Sequence, residues 1–320
     1  MTDSKVSFRN CTFRDNAADN NGGAVAAADS DVHFTACLFI GNDAVYNGGG
    51  LHCDNSSVDI RRGRFEGNHA LHPIPGGFTS TTGGAMSVVR TSTVTITGTE
   101  FAQNSSAGGG AIALDHSEVS ATRCRFTENS ARAEGGAVKV GSLGGSSHFY
   151  DLNNVYWKNE AISAGGALYV SGGLQLVNST FHLNQGGHEG DGLYLLAGAA
   201  TITNCIFWQN PDSEIFLGGR LASVTVDHSC VSGGYAGVGN IADDPVFGDG
   251  GRGALRLRST SPCIDHGRND APSISPTDID GRPRVVAGVR GAEPTIDMGA
   301  AEYDPSYLPP LRAEVWRADD

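Results

Sequence analysis

Basic residues are scarce in this chain of 320 residues, which has 22 Lys and Arg against 35 Asp and Glu and a formal net charge of −13. Nucleic acid is therefore not an expected partner, because no basic face is available to displace counterions from phosphates. Long apolar runs are also missing, so the sequence predicts no transmembrane segment. Glycine, in contrast, is abundant at 45 residues, which indicates a turn-rich, all-β chain.

The N-terminal residues 1–6 lack the basic and apolar regions of a secretory signal. The repeats begin at once, without a polar segment to protect the first edge of a repeat stack. We therefore expect a fragment of a longer chain from which the signal has been removed. The chain has seven cysteines, which is an odd number, and they recur at equivalent positions of the repeat. Both observations favour buried free thiols over a disulfide framework.

Two tetrapeptide motifs alternate along the chain. Copies of Phe-x-x-Asn, one with Tyr for Phe, lie 25, 26, 30 or 36 residues apart. Their aromatic residues are Phe13, Phe39, Phe65, Phe101, Phe126, Tyr156, Phe181 and Phe207. Between them comes Gly-Gly-Ala-apolar, at Gly22–Val25, Gly83–Met86, Gly109–Ile112, Gly135–Val138 and Gly165–Leu168, with degenerate copies at Gly48–Leu51 and Gly190–Leu193.

A period near 26 residues without a helical pattern predicts one turn, or coil, of a three-sided β-solenoid. The fold expected is a pectate-lyase-like, right-handed parallel β-helix of about eight to nine coils over residues 1–234. Alternation within each strand places the Phe and Cys columns inside. Residues 235–320 break the period, and we expect this non-repetitive region to cap the last coil.

The alternating motifs resemble, over about residues 6–210, the repeat pair of the chlamydial polymorphic outer membrane proteins. That resemblance implies a β-helical adhesin. Four later segments resemble the ending of secreted bacterial β-helix proteins that precedes a surface anchor, which implies export and a secreted or cell-surface location. These segments are Asn240–Phe247, Leu255–Gly267, Thr277–Arg284 and Asp297–Tyr303.

Catalytic signatures are weak. Outward positions of the second strand carry no acidic cluster of the kind a pectate lyase needs for Ca²⁺. One glycine-rich loop holds His188, Glu189 and Asp191, a candidate catalytic or metal site for which a solvated loop is the competing interpretation. Asp278 and Asp280 lie in an Asp-x-Asp-Gly turn that could bind Ca²⁺ or serve only as a turn.

Outward aromatic residues are the most informative surface feature. The position after each Phe of Phe-x-x-Asn faces outward, and in three successive coils it holds Trp157, His182 and Trp208. Tyr169 and Tyr194 form a parallel pair on the first strand. Aromatic faces stack on sugar rings, so these five residues predict a glycan-binding surface, unless the C-terminal region covers them.

Three functions remain open from the sequence. The first is adhesion, or binding to a polysaccharide or a cell-surface glycan or protein, through the aromatic surface. The second is a polysaccharide lyase or glycoside hydrolase whose residues converge from distant coils. The third is a stiff spacer without a ligand. The sequence favours the first and does not identify the ligand.

Overall fold

The computed structural model describes residues 1–70, 82–142, 146–187, 189–248, 255–289 and 291–306. Within these ranges every helix or strand assigned is a β-strand, and all strands up to residue 231 pair in parallel with the equivalent strand of the next coil. The three-sided β-helix expected from the 26-residue period is therefore confirmed. Most of the predicted insertion around His69–Thr82, part of that around Gly141–Ser147, and residues 307–320 lie outside the described residues.

Each coil contributes one strand to each of three long sheets. Sheet A follows the Gly-Gly motif and comprises Val25–Ala28, Leu51–Asp54, Met86–Val89, Ile112–Asp115, Val138–Val140, Leu168–Ser171, Leu193–Thr203 and Ile215–Leu217. Sheet B comprises Lys5–Arg9, Asp31–Thr35, Ser57–Arg61, Thr93–Thr97, Glu118–Thr122, His148–Leu152, Gly173–Val177, the second half of Leu193–Thr203, and Ala222–Asp227. Sheet C carries the Phe column and comprises Thr12–Arg14, Leu38–Ile40, Arg64–Glu66, Glu100–Ala102, Arg125–Thr127, Val155–Trp157, Thr180–His182, Ile206–Trp208 and Cys230–Val231.

A short ladder of two-residue strands, sheet D, follows the Asn of each motif. It comprises Ala17–Ala18, Asp43–Ala44, His69–Ala70, Ser105–Ser106, Ser130–Ala131, Glu160–Ala161 and Gln185–Gly186. The second residue of most of these strands points inward and is small, which lets the chain turn closely around the core. The sequence analysis did not predict this ladder, because two residues are too few for a period-two pattern.

The Phe column forms an aromatic stack along the interior, as the sequence predicts. From Phe13 to Phe207 successive ring centroids lie 4.3–5.1 Å apart with nearly parallel planes. The cysteine column is buried beside it at Cys37, Cys124 and Cys205. Because the strand spacing is about 4.8 Å, identical residues in register contact each other in every coil.

The Asn residues form a second, hydrogen-bonded ladder. In each step the backbone N–H and the side-chain amide of one Asn donate to the side-chain oxygen of the next, as Asn104 does to Asn129 at 3.1 and 2.9 Å. The other amide hydrogen bonds a carbonyl of the preceding coil, here that of Phe65. At the C-terminal end Asn210 donates to the carboxylate of Glu214, which ends the ladder with an acceptor.

The Gly pair is required by close backbone packing. Gly109 has a φ of +66°, and a Cβ there would lie 2.2 Å from the Ile112 carbonyl oxygen. A Cβ on Gly110 would lie 2.1 Å from the carbonyl oxygen of Gly136 in the next coil. The motif therefore recurs for steric reasons rather than chemical ones.

One polar cluster interrupts the apolar interior. Asp151 points inward between Ala121 and Leu176 and is fully buried. Its carboxylate accepts hydrogen bonds from Asn154, Tyr156 and Ser179. These three residues stand where other coils have Cys or Phe, so the departures from the repeat pattern satisfy one another.

The C-terminal segment covers both the end and one flank of the β-helix. Ile241 pairs with the last coil at Cys230, and Tyr235 packs against the main core. Further along, Leu255, Ile279 and nearby alanines pack on Val155 of sheet C. The segment therefore packs on the last coil and also lies along the outer surface of preceding coils.

Candidate functional site

The predicted Trp157, His182 and Trp208 column lies in register on adjacent strands of sheet C. All three side chains are half-buried. Trp157 packs beside Val155 against the C-terminal segment. Trp208 packs against a separate apolar cluster that also contains residues of that segment. The covering segment that was considered in the sequence analysis is therefore present, and it leaves only part of each ring exposed.

His182 is engaged within the protein. Its ring lies edge-on to Phe247, with centroids 5.2 Å apart, and its Nδ1 is 2.9 Å from the carbonyl oxygen of Trp208. Burial lowers the pKa of His182, so the imidazole is neutral near pH 7 and can donate to that carbonyl. Trp157 lies at the border of the covered surface, with the Lys158 ammonium 4.5 Å from its ring centroid.

An open groove of about 370 Å³ lies on sheet C beside Trp157. Its walls combine charged and amide side chains with the indole. They include Arg64, Glu66, Glu100, Gln103, Arg125, Glu128 and Trp157. The groove thus spans four adjacent strands, or three strand spacings of about 4.8 Å each.

Arg64 organises the charges at one end of the groove. Its guanidinium donates to Glu66 at 2.9 Å and to Glu100 at 2.7 Å. The hydrogen bond with Arg64 lowers the pKa of Glu66, which keeps that carboxylate ionised. At the other end Arg125 pairs with Asp280 at 2.9 Å, which ties the C-terminal segment to the edge of the groove.

Tyr169 and Tyr194 stack on sheet A, as their predicted register requires, and Phe216 extends the stack. The centroid separations are 5.2 and 5.4 Å. Burial raises the pKa of Tyr169 to about 12. Because the two tyrosine faces contact each other, a bound sugar would meet ring edges and hydroxyls there rather than an open aromatic face.

Residues 1–181 and 78–239 match the family described as right handed beta helix region. The chain belongs to this family. No curated protein matches the chain. Right-handed β-helix proteins are often extracellular or surface proteins, and polysaccharide lyases and glycoside hydrolases are among them. No helix in the described ranges is long and apolar enough to cross a membrane. Family membership establishes the fold, whereas the activity depends on the site.

Among the described residues, the candidates of the glycine-rich loop do not form one cluster. His188 lies outside them, and Glu189 is exposed. Asp191 is fully buried, and its carboxylate accepts hydrogen bonds from the backbone N–H groups of Gly186, Asp212 and Ser213. These bonds hold the turn that leads into sheet A.

The two candidate Ca²⁺ ligands of the C-terminal segment have protein partners. Asp278 is buried and accepts from the backbone N–H groups of Asp280, Arg282 and Glu302 at 2.8–3.0 Å. Asp280 pairs with Arg125 and, at 2.7 Å, with Arg256. No group of three or more His, Cys, Asp or Glu placed to hold a metal occurs in the described part of the chain. Calcium binding at this turn stays a prediction.

The charged half of the groove was not predicted from the sequence. Arg64, Glu100 and Arg125 occupy the position before each Phe, which also faces outward. Only the position after each Phe was considered there. Aligning the preceding column would have revealed alternating Arg and Glu in adjacent coils, which is the pattern of a cross-strand ion-pair ladder.

Proposed function

We propose that this protein is an extracellular or cell-surface β-helix protein that binds a glycan in the sheet C groove beside Trp157. The observation that carries the proposal is the composition of that groove. An aromatic ring lies at one end, and ionised and amide side chains line the rest. Carbohydrate recognition needs this combination, because a sugar presents apolar C–H faces as well as hydroxyl groups.

The dimensions of the groove agree with a short oligosaccharide. Three strand spacings amount to about 14 Å along the β-helix axis, roughly the length of two or three sugar residues. Gln103 and Glu128 are exposed and joined by a 3.0 Å hydrogen bond, so they can exchange that contact for sugar hydroxyls. Lys158, which lies over the Trp157 ring, is exposed and flexible enough for a sugar to displace.

Binding fits the groove better than hydrolysis. A glycoside hydrolase needs a carboxyl group with a raised pKa to protonate the leaving oxygen. In this groove the hydrogen bond with Arg64 lowers the pKa of Glu66 instead. The alternating motifs, which resemble those of adhesins, also support a binding role.

A glycan array with the full chain tests this proposal. We expect binding to one glycan class, and a loss of at least about tenfold in Trp157→Ala, because the ring supplies the main apolar contact. Gln103→Ala should weaken binding less. The matched control is Tyr150→Ala, since Tyr150 is an exposed aromatic residue on sheet B, away from the groove.

Two results would contradict the proposal. Undiminished binding by a folded Trp157→Ala variant would remove the groove as the site. No binding of the parent chain to any glycan would favour the spacer function. Release of unsaturated or reducing-end products from a bound polysaccharide would instead assign an enzyme.

A further inference from the structure

A second cavity, of about 260 Å³, lies on sheet A in the N-terminal half of the β-helix. His52 and Asp54 line it from one strand, Arg90 follows the strand of the next coil, and Asp115 and His116 lie at the end of the strand in the coil after that. We call it the His52 pocket. It is on a different face from the sheet C groove and shares no residue with it.

Two polar atoms at the wall of the His52 pocket are buried without a hydrogen-bond partner. They are Nδ1 of His52 and Oδ1 of Asn47. His52 itself is only 7% exposed. Ser87, the register neighbour of His52 in the next coil, also has a buried hydroxyl without a partner. Buried polar groups are nearly always paired, so unpaired ones on adjacent strands indicate a place for a ligand.

The charged groups of the pocket are already paired, which limits the charge of that ligand. Arg90 lies 3.0 Å from the Asp54 carboxylate, and His116 lies 3.2 Å from that of Asp115. Ser142 also donates to Asp115 at 2.9 Å. An anion would face two carboxylates across one guanidinium, and a metal ion would have to break both pairs. An uncharged ligand requires neither change.

The unpaired atoms specify the ligand chemistry further. Asn47 Oδ1 needs a donor, because its own amide already donates to Asn21 at 3.0 Å. His52 Nδ1 accepts or donates according to the tautomer, and burial lowers the pKa of His52, so the ring is neutral near pH 7. A hydroxyl group satisfies both atoms, because it donates and accepts. Several hydroxyls in a volume of this size describe a single sugar residue.

We infer that the His52 pocket binds one neutral sugar residue, whose hydroxyl groups pair with His52 and Asn47. The site stands apart from the proposed glycan groove, so either can fail alone. It adds a second point of contact, for a branched or terminal sugar, on another face of the β-helix. This arrangement suits a protein that recognises an extended glycan rather than cleaving one.

Saturation-transfer NMR and calorimetry on the full chain test this inference, with glucose, galactose, mannose and N-acetylglucosamine as probes. We expect millimolar binding of at least one of them. His52→Phe keeps a planar aromatic side chain and removes the unpaired nitrogen, so binding should fall at least tenfold while the melting temperature stays at or above that of the parent. Asn47→Ala provides a second variant should His52→Phe fail to fold.

The controls separate this site from the groove. Trp157→Ala should leave monosaccharide binding unchanged, whereas His52→Phe should leave oligosaccharide binding in the groove largely intact. Glucosamine and gluconate test a cationic and an anionic ligand. Tighter binding of either than of the neutral sugars, binding that survives in folded His52→Phe, or no binding of any neutral sugar would each overturn the inference.

Discussion

Replacing the buried Asp151 by Asn should change how the stability of the protein depends on pH. Burial raises the pKa of this carboxyl from 3.8 to about 6, although hydrogen bonds from Asn154, Ser179 and Tyr156 act in the opposite direction. The folded state therefore holds the proton more tightly than the unfolded chain does. The resulting stabilisation is complete below pH 3.8 and is lost as the pH rises through about 6.

The size of this effect follows from the two pKa values. At about 1.4 kcal/mol per pH unit, the full effect of this residue is about 3 kcal/mol, and about 2.4 kcal/mol of it should be lost from the unfolding free energy of the parent between pH 4 and pH 7. Asp151→Asn removes the titration and retains a side chain that can bond the same neighbours. Relative to the parent, the variant should therefore gain about 2.4 kcal/mol over that interval.

Urea unfolding followed by tryptophan fluorescence at pH 4, 5, 6 and 7 measures this difference. Other buried carboxyls also titrate, and burial raises the pKa of Glu214 to about 7, so only the comparison between parent and variant isolates Asp151. Asp19→Asn, at an exposed position, is the matched control. Parallel stability curves for parent and Asp151→Asn would refute the reasoning, because they would mean that the carboxyl titrates alike in the folded and unfolded chain.

Two further predictions concern the core. Phe126→Ala, in the middle of the aromatic stack, should cost about 3–5 kcal/mol in urea unfolding, and an effect below about 1 kcal/mol would contradict its buried position. With a thiol-specific reagent at pH 8, only Cys11, which is half-exposed, should react quickly in the native protein. Burial raises the pKa of Cys124 to about 12, so it should react only after denaturation, and fast native labelling of several thiols would argue against a closed core.

The interior could be predicted because the repeat constrains it. A residue such as Phe65 must stack between Phe39 and Phe101 in neighbouring coils, so the sequence period shows which residues are in register and the alternation shows which face inward. Asp151 could not be placed from the repeat pattern alone. Its signal was the coincidence of several departures within two coils, namely Asn154, Tyr156 and Ser179, and it becomes meaningful only when their proximity is known.

The C-terminal segment was less predictable because it has no period. Its apolar residues, such as Leu255 and Ile279, are separated by turns, so sequence spacing does not reveal the surface they cover. The register of Trp157, His182 and Trp208 followed from the repeat, whereas cover of these side chains by the C-terminal region was left open as an alternative that the sequence could not decide. The unpaired atoms of the His52 pocket were also invisible, since an absent hydrogen bond has no sequence pattern.

The outward position before each Phe of sheet C nevertheless shows where the proposed site ends. The position before each Phe is charged at Arg64, Glu100 and Arg125, and is then uncharged and buried at Val155, Thr180 and Ile206. The change occurs where the C-terminal segment begins to cover the sheet. Because internal columns are constrained by stacking, such a change in an outward column reflects what each coil contacts. The charged coils of Arg64 and Glu100, which lie in the same groove as the partly exposed Trp157 ring, are therefore where a ligand from outside the chain has room to bind.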